Sequence, residues 1–122
     1  MSYHQDWLMR QIEAIAAMLA YLLTGQKPQT VSTEETLQRR SNTDPLAQKL
    51  LALVSQGMIC EAENQLFAAM EDCTPGVPEA AVQFYTQINK LTDAELEQAN
   101  FSRQEILDGL NAVCSHYGIP IV

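Results

Sequence analysis

Leu91-Thr92-Asp93-Ala94-Glu95-Leu96 and, ten positions on, Phe101-Ser102-Arg103-Gln104-Glu105-Ile106 carry the same device twice. In each, a hydroxyl residue precedes a glutamate by three positions, so the side chain of one can satisfy the backbone N–H of the other. An apolar residue stands just before the cap and another four positions into the helix, where the two pack as a staple. Two helix starts this close together, with no alternating apolar run between them, point to short helices and tight turns. Downstream, Ile106, Leu107, Leu110 and Val113 keep helical spacing until Gly118, with Ile119-Pro120 beyond it. Upstream, a helix after Val77-Pro78 carries Ala81, Val82, Phe84, Tyr85 and Ile88 to about Lys90.

The same punctuation continues toward the N-terminus. Asp44-Pro45 is an N-cap followed by proline in the first helical position. A helix is expected from there to about Ser55 and another from Ile59 to Glu71, stopping near Thr74-Pro75-Gly76. The short turn Gln56-Gly57-Met58 makes these two an αα-hairpin. Residues 26–43 form a linker, within which Ser32-Thr33-Glu34-Glu35 can start a short helix to about Arg40. Before the linker, Leu8, Ile12, Ile15, Leu19 and Leu22 line one stripe of a helix spanning about Gln5 to Thr24. The chain thus reads as an N-terminal amphipathic helix (1–25), the linker, and a helical-hairpin domain (44–122). The expected fold is all-α, a small bundle of antiparallel hairpins with a long N-terminal helix.

That first helix is apolar on a second side as well, at Ala14, Ala17, Met18 and Tyr21. The rest of the chain, a second copy, or an amphipathic partner or membrane surface would cover it. Tyr3, Trp7 and Arg10 add the residue types that dominate protein contact sites. The candidate interface therefore comprises Tyr3, Trp7, Arg10, Ile15, Leu19 and Leu22, and a homodimer through this helix is one expectation.

Charge narrows the functional classes. The chain has 122 residues and a net charge of −8. Residues 1–50 hold five acids and five bases, whereas residues 51–122 hold ten acids against Lys90 and Arg103 alone. Such a surface repels phosphate backbones, which argues against nucleic-acid binding and against docking on anionic lipid. The uncharged apolar run 14–23 is about half of what a membrane-spanning helix needs. Three widely spaced cysteines without a secretory leader indicate a cytoplasmic protein with reduced thiols.

Two resemblances add to this reading. Within Asp44–Pro75, the pattern Gly57, Ala62, Leu66, Ala69 and Pro75 resembles one tetratricopeptide-type repeat, in which a small residue at Ala62 lets two helices approach closely. A stable array needs about three such units, and the next stretch does not repeat it. Over nearly the whole chain, Tyr3-x-Gln5-Asp6-Trp7-Leu8-Met9-Arg10, Asn100-Phe101-Ser102-Arg103-Gln104-Glu105-Ile106, Gly109-Leu110 and Tyr117-Gly118-Ile119 resemble a family of small proteins of unknown function from Gram-positive bacteria. That resemblance implies a helical, tetratricopeptide-like protein and assigns no catalytic or binding residue.

The residues offer little chemistry. In Cys114-Ser115-His116 the thiol and imidazole lie two positions apart, about 200° around a helix, and cannot meet. His4, Cys60, Cys73, Cys114 and His116 lack ligand spacing for zinc. The carboxylates Glu61 and Glu63, and Glu71 and Asp72, read as a solvated face, and Asp93, Glu95 and Glu97 as helix-dipole partners. Gly109 stands mid-helix at a cost of about 1 kcal/mol relative to Ala, so something must approach it closely: a neighbouring helix, or a partner's side chain. No catalytic, metal or cofactor residue is assigned. The leading reading is a non-enzymatic interaction or scaffold module. The alternative is a small-molecule binder or minor enzyme with an inter-helix pocket lined by Tyr85, Tyr117, His116 and Cys114.

Overall fold

The computed structural model describes residues 2–24 and 45–119. Among these the chain forms six helices and no strand: α1 (Ser2–Thr24), α2 (Pro45–Ser55), α3 (Ile59–Glu71), α4 (Val77–Asn89), α5 (Asp93–Gln98) and α6 (Arg103–His116). The fold is all-α, as the punctuation requires. The short helix expected between Ser32 and Arg40, and the Asp44 cap, lie outside the described residues.

Both capping boxes form. Thr92 Oγ1 accepts from the Glu95 N–H at 3.1 Å while the Thr92 N–H donates to Glu95 Oε1 at 2.9 Å. Ser102 Oγ accepts from the Glu105 N–H at 3.2 Å, and the Ser102 N–H donates to Glu105 Oε2 at 3.0 Å. Each box satisfies two helix-end donors and is worth about 1 kcal/mol. The α2–α3 turn closes at Gly57, whose φ of 77° is the left-handed conformation glycine adopts without a Cβ penalty. There the Met58 N–H donates back to the Leu53 carbonyl at 2.9 Å and the Gly57 N–H to Val54 at 2.9 Å.

Helix α4 is the hub. It packs against α1, α2, α3 and α6, and Val77, Ala80, Ala81, Val82, Phe84, Tyr85 and Ile88 are all buried along it. Alanines on two of its sides let neighbours approach, and Ala62 of α3 is likewise fully buried. Helix α1 lies across α4 and α6, with Leu8, Ile12, Ile15, Ala16, Leu19 and Ala20 buried. The burial of its four large aliphatics contributes roughly 6–12 kcal/mol of gross hydrophobic stabilisation. Leu22, the last residue of the expected stripe, is instead 54% exposed.

A polar latch joins α1, the C-terminus of α4 and the starts of α5 and α6. Arg103, only 3% exposed, donates through Nη1 to the Asn89 carbonyl at 2.8 Å and to Asn89 Oδ1 at 3.0 Å. Its Nη2 donates to the Leu91 carbonyl at 2.9 Å and to Asp93 Oδ1 at 2.8 Å. Asn89 Nδ2 in turn donates to the Met9 carbonyl on α1 at 3.4 Å. A cation in the first turn of α6 opposes that helix's own dipole. It is placed there because its guanidinium reaches the unsatisfied carbonyls at the end of α4.

Candidate functional site

Helices α3 and α6 both pack on α4, and an open cleft of about 410 Å³ separates them. Each wall is one helix face at spacing i, i+3, i+4, i+7. Helix α3 supplies Cys60, Glu63, Asn64 and Phe67; α6 supplies Glu105, Asp108, Gly109 and Ala112; Phe101 closes the end where the chain enters α6. The lining holds three carboxylates and neither lysine nor arginine.

Glu63 is the most constrained of the three. The buried Tyr85 hydroxyl, reaching out from α4, donates to Glu63 Oε2 at 2.8 Å. Partial burial is the chief force raising the Glu63 pKa above its ordinary value; the Tyr85 hydrogen bond offsets part of this, and the charges of Glu105 and Asp108 add to it. Burial and the adjacent Glu63 carboxylate push the Tyr85 phenol strongly upward, so it stays a donor at all ordinary pH. On the rim, Glu105 Oε2 is engaged by the Ser102 N–H, and Asp108 Oδ1 accepts from Gln104 Nε2 at 3.0 Å. Among the described residues, these partners of the three carboxylates are neutral donors.

Gly109 explains itself here. A Cβ at this position would stand 2.6 Å from Glu63 Oε2 and 2.7 Å from Tyr85 Cζ, and closer still to the Tyr85 hydroxyl oxygen. The close approach expected from the sequence comes from a side-chain pair of this same chain, not from another helix's backbone. The Cys60 thiol points to the carbonyls of Ala99 and Asn100 at 3.7 and 3.6 Å.

The pocket lining expected from the sequence is corrected. Cys114 is fully buried in the core, where burial raises its thiol pKa. His116 and Tyr117 are exposed, and their rings stack edge to face at 4.9 Å at the end of α6. Of the four expected residues, Tyr85 alone reaches the cleft, through its hydroxyl. Glu63, expected on a solvated face, is half-buried; its neighbour Glu61 is exposed and accepts from Gln65 at 3.2 Å. Spacing alone pairs Glu63 with Asn64 and Phe67, and Asp108 with Gly109 and Ala112. The missed signal was the mid-helix glycine on a face that also bears two acids.

The candidate interface divides. Ile15 and Leu19 turn into the chain's own core, at 8% and 0% exposure, because α1 must cover α4 and α6. Trp7, Arg10 and Leu22 face outward, with Tyr21 and Ala14 beside them. Tyr3 lies in the first turn of α1 and its side chain is outside the described set. Trp7, Ala14 and Tyr21 recur every seven residues and so share one outer line of α1, with Met18 adjoining. No helix among the described residues is long and apolar enough to cross a membrane, and none of their His, Cys, Asp and Glu side chains form a group able to hold a metal ion.

A family model described as a family of unknown function (DUF6483) matches residues 2–118. No curated protein and no solved structure matches the chain.

Proposed function

This chain belongs to that family of unknown function, and from that premise we propose that it is a non-enzymatic interaction module that pairs with a second copy of itself through the outer face of α1. The observation that carries this reading is the division of α1 into two apolar faces. Its inner face is consumed by the core. Its outer face leaves Trp7, Tyr21 and Leu22 at 53%, 41% and 54% exposure.

The outer line is self-complementary. Ala14 stands seven residues from both Trp7 and Tyr21. Two copies of α1 crossing antiparallel at Ala14 would set Trp7 of each against Tyr21 of the other, which is the symmetry a two-fold contact demands. A small residue at the crossing point lets the helices come within the usual 8–10 Å or so. Aromatic rings on either side supply most of the buried area.

Light scattering coupled to size exclusion, across a dilution series, tests this. The wild-type chain is expected at twice the monomer mass. Ala14→Arg, which places like charges face to face across the axis, is expected to run as a monomer that keeps its helical circular-dichroism spectrum, with a melting temperature that no longer rises with concentration. A wild-type monomer at every concentration overturns the proposal, as does a variant that stays dimeric.

The α3–α6 cleft favours a second reading, a small-molecule binding site. Its volume falls in the range of ligand sites, about 300–1,000 Å³, and Glu63 is held in one orientation by Tyr85.

A further inference from the structure

We draw no further inference here: the strongest candidate, the cleft between α3 and α6 lined by Glu63, Glu105 and Asp108, belongs to the site already described, and among the described residues none of its lining side chains is both buried and unpartnered to show what it would hold.

Discussion

Replacing Gly109 with alanine sets two effects of opposite sign against each other. In an open helix interior, Gly→Ala stabilises by about 1 kcal/mol, through propensity and a less flexible unfolded chain. At Gly109 the new methyl would meet Glu63 Oε2 at 2.6 Å and Tyr85 Cζ at 2.7 Å. The carboxylate end of Glu63 can swing aside. The Tyr85 ring cannot, because it is fully buried and packs at 4.8 Å against Phe84. Forcing a methyl into such a space costs about 1–3 kcal/mol, and parting Tyr85 from Glu63 leaves a buried hydroxyl unpaired at about 1–3 kcal/mol more. The clash wins: Gly109→Ala is expected to destabilise by about 1–5 kcal/mol net. For a domain of this size that lowers the melting temperature by roughly 4–20 °C, measurable by circular dichroism or calorimetry. The double variant with Tyr85→Phe sharpens the test. Without the hydroxyl the nearest obstruction disappears, so the cost of Gly109→Ala should shrink by about 0.5–3 kcal/mol. A Gly109→Ala protein as stable as wild type, or strictly additive costs, would refute the packing argument.

Three further outcomes concern charged side chains. Arg103→Met should lower stability by about 3–5 kcal/mol in urea denaturation, because it strips partners from Asn89 Oδ1 and from the carbonyls of Asn89 and Leu91; a loss under about 1 kcal/mol would contradict the latch. Asp93, the exposed end of that ion pair at 62%, should cost less than about 1 kcal/mol when changed to Asn. The folded protein holds the Glu63 proton more tightly than the unfolded chain does, so it binds more protons from about the ordinary value of 4.5 up to the raised one. Its stability contribution is therefore lost as pH rises through that window. Among the described residues, the groups facing Glu63 are Tyr85 from α4, Glu105 and Asp108 from α6, and Cys60 on α3. Glu63→Gln should flatten the stability–pH curve there and melt above wild type at neutral pH; an unchanged slope would show that the carboxyl is not perturbed.

Local chemistry was legible because it needs only neighbours in sequence. The Thr92 and Ser102 capping boxes, the Gly57 turn and the stripe from Leu8 to Leu19 each involve residues within a turn or two, and all form. The alanines of α4 and the Gly109 anomaly likewise marked close contacts before their partners were known. The sequence by itself therefore determined that the chain is helical, where most helices begin and end, and which faces are apolar.

Tertiary structure decided what those faces meet. It sent Ile15 and Leu19 inward and left Trp7, Tyr21 and Leu22 outside, because only the crossing of α1 over α4 and α6 determines which of two apolar sides is covered. It turned Arg103 from one member of a capping box into a buried latch across fourteen positions of chain. It joined Glu63 to Tyr85, twenty-two positions away, and set both against Gly109. Periodicity reports the direction a side chain leaves its own helix. What lies in that direction is fixed by how the helices pack around α4, and that packing made a cleft of faces that, separately, look like solvated surface.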